Sequence, residues 1–399
     1  MRLPAEASRI SSFVATVCPS LSPAQQRGLS QWVFGVLLAD AGCESAVVDA
    51  LAAATGEQAE AIRQRGREWL RDGPDKLVPC AATVEPATCF ATLLRWVVRW
   101  WPPRTPLPLL IDATLLRDRV AAVVISVAYR GTALPVAWSI HPANTPAPWG
   151  EATRELLRLL APAVPPDRLV LVLSDRGFWS PALWQTIRTL GWHPLLRIRS
   201  EAVFAPSGQE RVPAAALVQP GQAWIGTGVA FRHAPKRLAA TLVAVWGHEQ
   251  REPWLLLTDL RPHDLDPGWY GLRMSIEASF ASLKSRGWQW QRTRRRHPRR
   301  VARHWLVLAV ATLLSAATGT RLEEAARRDR SPAQLPVLHE PAPVREPRRR
   351  SILRQGRTEL HRRLLARRPL WAHHWLLPEP WPDRTGQLTV FRAVATLPP

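Results

Sequence analysis

The sequence predicts a mixed α/β protein in which helices flank a sheet and a helical region comes first. Apolar residues recur with a helical period across residues 8–75, whereas short apolar runs typical of buried strands recur between residues 105 and 200. Two of those runs end in a single acid. With 399 residues, 46% of them hydrophobic, the chain can form two or three domains with a large core.

The charge balance predicts a polyanionic partner, most simply nucleic acid. Lysine and arginine number 53 against 32 acidic residues, which gives a formal net charge of +21. The only lysines are Lys76, Lys236 and Lys284, and the planar guanidinium of arginine suits phosphate. A GC-rich genome explains the ratio of arginine to lysine equally well, but it does not explain the net charge.

The four cysteines, Cys18, Cys43, Cys80 and Cys89, form no CxxC pair and match no histidine cluster. We therefore expect reduced thiols in a cytoplasmic protein rather than zinc ligands. The N-terminus lacks the apolar core of a signal peptide. The longest apolar run, residues 305–317, is too short to span a bilayer, so no membrane partner is expected.

Residues 1–80 are predicted to form a helical N-terminal domain. Its apolar periodicity is clearest in QWVFGVLLADAG and SAVVDALAAATG, and a basic amphipathic helix follows in AEAIRQRGREWLRDG. Short helices joined by tight turns are compatible with a helix-turn-helix-like module that binds DNA ends. The alternative is a plain helical cap on the next domain.

A strand-rich block follows and forms the core of a predicted domain over residues 105–320. Its first strand, LPLLIDATLL, carries Asp112, and two further strands follow with a tight turn at Arg130-Gly131. Predicted helices at residues 151–160 and 181–190 flank a fourth strand, LVLVLSDRGF, which ends in Asp175, and HPLLRIR is the fifth. This is the strand order of an RNase H-like fold, in which the first and fourth strands are neighbours and both acids meet at one sheet edge. Buried acids need a partner, and a divalent cation would supply it.

Residues 200–260 interrupt this order with further strand patterns, so we expect an inserted β subdomain there. The stretch YGLRMSIEASFASLK comes next. On an α-helix, its spacings of three, four and seven keep Tyr270, Arg273, Glu277 and Lys284 close to one face. One acid, two cations and a phenol on one face suit the binding of a phosphodiester beside a metal ion.

Three acids on separate elements, Asp112, Asp175 and Glu277, can hold two Mg²⁺ (or Mn²⁺) ions about 3.5–4 Å apart. Such a site performs phosphoryl transfer without a protein nucleophile. Consistent with this, no GxSxG, HExxH or Walker-type motif is present.

The stretch after this predicted helix is strongly basic and carries two tryptophans, in GWQWQRTRRRHPRR. Phosphate contact is predicted for Arg292, Arg294, Arg295 and Arg296, with a solvated charged face as the alternative. An apolar helix would then close the fold. Residues 327–399 are an Arg/Pro-rich C-terminal extension, expected to be weakly structured or a loosely attached helical extension with a short helix at residues 351–367.

The motifs LIDAT, SDRGF and Y-(2)-R-(3)-E-(6)-K together resemble the bacterial insertion-sequence DDE transposases of the IS-four group. The resemblance covers residues 105–320, and every gap of the Y-R-E-K signature matches. It implies an RNase H-like transposase that moves DNA by cut and paste, with Asp112, Asp175 and Glu277 as metal ligands. In this group the flanking strand is cut through a hairpin on the transposon end. Tyr270, Arg273 and Lys284 match the positions that hold phosphates near the terminal base.

The resemblance also implies DNA contacts for Trp254, in WLLLT, and for Arg197, in LLRIR. An equivalent tryptophan stacks on a flipped base in related hairpin-forming transposases, and stacking worth about 1–3 kcal/mol offsets the cost of flipping. The alternatives are a core tryptophan and an ordinary charge at a strand edge. The implied partners are double-stranded DNA, at inverted-repeat ends and at the target, and a second copy of the chain in the DNA complex. The implied location is the bacterial nucleoid.

Two other functions fit the same residues. A silent relative of a transposase would bind DNA ends as a repressor without cutting them. A structure-selective nuclease on the same fold would cut branched DNA regardless of its sequence, and the Y-R-E-K face disfavours it.

Overall fold

The computed structural model describes residues 4–77, 82–116, 118–143, 149–233, 237–330, 348, 350–381 and 388–393. Cys80, Lys236 and most of the proline- and arginine-rich stretch at 331–349 lie outside these ranges. In the described ranges, the cysteines are free thiols.

The first five strands confirm the predicted mixed α/β order. Two antiparallel pairs come first, and the first strand also pairs in parallel with the fourth, which pairs in parallel with the fifth. Long buried β-branched and apolar runs form these strands because both of their faces are covered. The strands are β1 (Leu107–Leu116), β2 (Val120–Tyr129), β3 (Thr132–Pro142), β4 (Val170–Ser174) and β5 (His193–Arg197).

The predicted inserted strands are present and extend this same sheet. The added strands are β6 (Val203–Pro206), β7 (Val212–Pro213), β8 (Gln222–Ala230), β9 (Leu238–Trp246), β10 (Trp254–Thr258) and β11 (Thr389–Ala393). β10 pairs antiparallel with β5, β9 with β10, and β8 with β9. Eleven strands in the described residues therefore form one sheet in the order β3-β2-β1-β4-β5-β10-β9-β8-β6-β7, with β11 beside β8.

Helices cover both faces of the sheet. The helices are α1 (Ser8–Val17), α2 (Pro23–Ala39), α3 (Glu44–Thr55), α4 (Ala59–Leu70), α5 (Ala87–Val98), α6 (Trp149–Leu160), α7 (Pro181–Thr189), α8 (Met274–Leu283), α9 (Pro298–Arg330) and α10 (Ile352–Leu365). One face of the sheet shares a continuous core with the N-terminal helices and with α5, α6, α7, α9 and α10. The opposite face packs against α8 and the turn before it.

The N-terminal helices are joined to the sheet domain by buried polar contacts. The fully buried guanidinium of Arg303, on α9, donates hydrogen bonds to the carbonyls of Val84 and Leu70 and to the carboxylate of Asp72. A buried cation of this kind is stable only because its donors are satisfied. These helices therefore cap the sheet domain, and DNA reading by them stays a prediction.

The helix α9 is longer than the predicted apolar run and is the central helix of the core. By length and composition it could cross a membrane, but 94% of its apolar window is buried inside the protein. A buried core helix passes the same test, so this helix is weak evidence for a membrane span.

The helix α10 is packed closely against α9 rather than loosely attached. Glycines face one another across this contact: a Cβ on Gly356 would lie 1.8 Å from the Ser315 carbonyl oxygen, and one on Gly319 would lie 2.1 Å from the Ile352 carbonyl oxygen. The sequence suggested a loose tail because its flanks are rich in proline and arginine, whereas backbone contact across two glycines leaves little hydrophobic signal.

The substitution Gly356→Ala is expected to destabilise the protein by about 1–3 kcal/mol, because the two helix backbones must separate. Chemical denaturation monitored by circular dichroism measures this change. Gly150→Ala is the matched control, since a Cβ there meets only the end of Arg154 at 3.6 Å. Equal stability of the two variants would contradict the close packing.

Candidate active site

The register between β1 and β4 brings two of the predicted acids together. Ile111 lies beside Ser174 in this parallel pair, so Asp112 and Asp175 are the next residues along adjacent strands. Asp112 shares a face with Leu110 because side chains alternate along a strand, and Leu110 belongs to the core under α8. Both acids therefore face the element that carries Glu277.

That element differs from the predicted continuous α-helix. Residues Trp269–Arg273 form a 3₁₀ turn, and α8 begins at Met274 and ends before Lys284. Side chains three residues apart nearly eclipse in a 3₁₀ turn, so Tyr270 and Arg273 still point the same way. The shared face survives, but with a tighter first turn.

The guanidinium of Arg273 lies among the carboxylates of Asp112, Asp175 and Glu277, here called the carboxylate triad. Its Nη2 is 3.2 Å from Oδ2 of Asp112 and 3.5 Å from Oδ2 of Asp175, and its Nη1 is 3.1 Å from Oε1 of Glu277. The Arg273 side chain is only 10% exposed, whereas Glu277 is 53% exposed. One buried cation thus joins three acids from three elements.

Burial and charge shift the pKa values of this cluster. Burial raises the pKa of Asp112, and the Arg273 guanidinium and the Ala113 N–H oppose that rise. The other two triad acids raise it further by repulsion. For Arg273, burial acts to lower the pKa, but the neighbouring Tyr270 and acids outweigh it and raise the pKa. The guanidinium therefore stays charged and the acids depend on it.

The donor chemistry of the triad fits a hard divalent cation, since carboxylate oxygens are its preferred ligands. In addition, Oδ1 of Asp175 is buried and accepts no hydrogen bond from any residue that the structure describes. Within the described ranges, however, no three His, Cys, Asp or Glu side chains are grouped as metal ligands. Arg273 lies at the point where the triad converges, so any cation must compete with it.

Tyr270 and Trp254 form an aromatic pair beside the triad. The buried Tyr270 hydroxyl donates a hydrogen bond to the Ser174 carbonyl at 3.1 Å, and its ring meets the ring of Trp254 edge to face with centroids 5.0 Å apart. Burial is the largest cause that raises the pKa of Tyr270. Trp254 is the first residue of β10 and remains partly exposed.

Lys284 directly follows the last residue of α8, so this helix separates it from Tyr270. Its side chain is half-buried. Burial lowers the pKa of its ammonium group. Among the described residues, its side chain has no ion-pair or hydrogen-bond partner, so this cation is available to a ligand.

Arg197 lies at the end of β5, between the triad and a carboxylate that the sequence did not single out. Its Nη1 is 3.5 Å from Oδ1 of Asp175, and its Nη2 is 2.7 Å from Oε1 of Glu252. Arg176 contacts the same Glu252 oxygen at 3.1 Å. The one available signal was the position of Arg176 directly after Asp175, in SDRGF.

The predicted arginine run divides into outward and inward side chains. Arg292, Arg294 and Arg296 are exposed, whereas Arg295 points inward, 2.7 Å from Glu44 and over the ring of Trp32. Side chains alternate along an extended segment, which explains why Arg295 points the opposite way from Arg294 and Arg296, whereas Arg292 is the last residue of a 3₁₀ turn. Arg295 therefore joins the N-terminal helices to this segment, while the other three remain free to meet phosphate.

The exposed arginines of this run line part of an open cleft. Its volume is about 320 Å³, and Arg294 and Arg296 line it together with Asp118 and Arg119 from the turn between β1 and β2. Arg119 is fixed in place by donating a hydrogen bond to the Thr293 carbonyl.

Comparison with known proteins places these features in context. Residues 104–314, just over half of the chain, match a family model described as transposase DDE domain. Comparison with curated proteins finds no match. Among solved structures, this chain is similar to the cryo-EM structure of the piggyBac transposase synaptic complex with hairpin DNA, at 12% identity and a TM-score of 0.37, over 90% of this chain and 79% of that chain. A likeness at this level says nothing about what this chain binds.

Replacement of Arg273 by glutamine should make stability strongly dependent on pH. Without this cation the pKa of Asp112 rises further above its unfolded value of about 3.9, so the folded state loses stability as pH rises through that range. The free energy of unfolding of Arg273→Gln should be only slightly below that of wild type near pH 4. Near pH 7 the difference between the two proteins should be larger by roughly 1–2 kcal/mol. Urea unfolding at both pH values measures it.

Arg176→Gln is the control for this measurement, because it removes the same charge beside the triad from an exposed side chain. A deficit for Arg273→Gln that does not change with pH would show that Arg273 does not hold the triad.

Proposed function

Because the chain belongs to the transposase DDE domain family, we propose that it is an active, metal-dependent DNA transposase of the IS-four group. It would excise an insertion sequence by phosphodiester cleavage and join it to target DNA. The observation that carries this proposal is the convergence of the carboxylate triad, from β1, the end of β4 and α8, on one buried cationic side chain. The family implies divalent cations for such acids.

The triad residues Asp112, Asp175 and Glu277 would hold two divalent cations, which activate the attacking oxygen and stabilise the leaving oxygen when bound. The exposed carboxylate of Glu277 and the strand-borne acids come from rigid elements, which keeps their geometry fixed. Arg273 would stabilise the triad before the ligand arrives. It would then contact the phosphate of the strand being cut, as the Y-R-E-K signature suggests.

Tyr270 would fix the backbone before Asp175 and the ring of Trp254, and so position the strand indirectly rather than attack it. A phenol with a raised pKa stays protonated at neutral pH, and its proton is already donated to the Ser174 carbonyl. A tyrosine of this kind is a poor nucleophile and a good anchor. Lys284, whose ammonium group lacks a partner among the described residues, would supply the free positive charge for the next phosphate.

Trp254 would receive a flipped base during a hairpin step. Its partly exposed ring is held edge to face by Tyr270, so it is oriented before DNA arrives. A base–aromatic stack is worth about 1–3 kcal/mol, which is comparable to the cost of flipping. Cleavage through a hairpin on the transposon end is therefore part of the proposal.

The proposed partner is double-stranded DNA, at the inverted-repeat ends and at the target, with two copies of the chain in the DNA complex. Support comes from the net charge of +21 and from the exposed Arg292, Arg294 and Arg296 on the segment that follows α8. The dimer follows from the need to join two ends.

We expect Asp112→Asn and Glu277→Gln to abolish Mg²⁺- or Mn²⁺-dependent cleavage of DNA that carries the inverted-repeat ends of the element. The loss should be about a thousandfold or more, because each variant removes a charged ligand from the site of charge development. End binding should survive. Gel analysis of cleavage products and fluorescence anisotropy measure the two properties separately.

Glu155→Gln, an exposed residue of α6, is the control for the loss of one negative charge. Cleavage by both triad variants at the wild-type rate would refute the site assignment. Binding by the wild-type protein without cleavage under either metal would indicate a silent repressor.

We expect Trp254→Ala to block hairpin formation while the first nick continues, since only the flipped base needs the aromatic ring. Trp254→Phe should retain part of the activity, because phenylalanine keeps an aromatic face. Denaturing gels resolve nicked and hairpin products. Loss of the first nick in both variants, with an unchanged melting temperature, would contradict the stacking role.

A further inference from the structure

Three charged side chains meet next to the carboxylate triad: Arg197, for which the resemblance implies a DNA contact, and Arg176 and Glu252, which have no part in the function proposed above. Arg176 directly follows Asp175, Arg197 is the last residue of β5, and Glu252 lies two residues before β10. Arg197 Nη2 and Arg176 Nη1 lie 2.7 Å and 3.1 Å from the same oxygen, Oε1 of Glu252. Two guanidinium groups from separate elements thus converge on one anionic oxygen.

This geometry is that of an anion-binding site in which one arginine, Arg197, is held in place and the other, Arg176, is exposed to solvent. Arg197 is 17% exposed and is also held by Asp175, whereas Arg176 is 50% exposed and Glu252 is 42% exposed. Ion pairs with this much exposure contribute only about 0–1 kcal/mol. The carboxylate can therefore leave at little cost, while Arg197 stays in place.

A phosphodiester matches the two arginines at least as well as the carboxylate does. It carries the same charge, and its two free oxygens suit the planar donors of arginine. The ligand would lie beside Asp175 on one side and close along the chain to Trp254 on the other. A phosphate held there would belong to the strand that enters the carboxylate triad.

We infer that Arg176 and Arg197 form a binding site for a backbone phosphate of DNA, and that Glu252 occupies this site in the DNA-free protein. The inference rests on the proposed function in that the ligand is taken to be DNA. Glu252 then acts as an internal competitor that weakens binding to any duplex, and only DNA that gains contacts elsewhere displaces it fully.

The test compares Glu252→Gln with Glu249→Gln in the full-length protein. Glu249 is exposed in the same turn, with no ion pair or hydrogen bond among the described residues, so both variants change the net charge equally. Binding of a short fluorescein-labelled duplex of random sequence is followed by anisotropy across a range of NaCl concentrations, without divalent cations.

Glu252→Gln should bind about three- to tenfold more tightly than Glu249→Gln at low salt, and the slope of log K against log salt should steepen by about one. Addition of Arg176→Ala to Glu252→Gln should remove this gain. Arg176→Ala alone should bind more weakly than wild type, and this measurement does not depend on the folding of the Glu252 variant.

The inference is overturned if Glu252→Gln binds no better than Glu249→Gln, or if Arg176→Ala binds like wild type. If either of these results is obtained with a protein that still cleaves transposon ends, only the phosphate site is refuted. If the expected gain appears in a protein that never cuts DNA, the phosphate site stands and the transposase proposal fails. A protein that binds no duplex refutes both.

Discussion

The contact of Arg273 with three carboxylates is the interaction on which the geometry of the candidate site depends. Neighbouring carboxylates repel one another, and partial burial strengthens that repulsion because it lowers the effective dielectric constant. The guanidinium of Arg273 contacts all three carboxylates, so its attraction offsets both their repulsion and the effect of their partial burial. The cost of burying the guanidinium itself is offset by the charges around it. Without Arg273, β1, β4 and α8 would bring together three acids that repel one another with no cation among them.

Arg273 reaches this point because of a chain of local constraints. The parallel register of β1 and β4 fixes Asp112 beside Asp175, and a slip of one residue would turn the acids to opposite faces. The Ser174 carbonyl, one residue before Asp175, anchors the hydroxyl of Tyr270. The 3₁₀ turn then carries Arg273 from that anchor to the triad. The position of the guanidinium therefore depends on the strand register, on the hydrogen bond of Tyr270 and on the 3₁₀ turn, and a change in any of the three would move it.

The sequence was sufficient for those parts of the fold and site that depend on local pattern. Apolar runs that end in one acid predicted β1 and β4, and the strand order predicted that they are neighbours. The stepwise spacing of Tyr270, Arg273 and Glu277 predicted a shared face even though its first turn is 3₁₀.

The parts that depend on long-range partners could not be predicted. Charge alone does not say whether Arg295 meets phosphate or Glu44, and only the path of the N-terminal helices decides between them. In the same way, strand propensity identified the inserted strands but not their pairing with β5. The close contact at Gly356 was hidden because a glycine carries no hydrophobic signal.

In the DNA-free protein, the charged side chains in and beside the carboxylate triad form ion pairs with one another. Arg273 forms ion pairs with all three triad acids, and Glu252 forms ion pairs with Arg176 and Arg197. A ligand of the triad must compete with Arg273, and a ligand of Arg273 must compete with the triad. A cation held by the triad would therefore release a guanidinium for phosphate, and a phosphate bound to Arg273 would open the triad to a cation. Each of these proposed ligands would then favour the other by the same free energy, as linkage requires. If the strongly basic surface binds DNA at many positions, as proposed, such coupling would restrict an assembled site to places where DNA and cation arrive together.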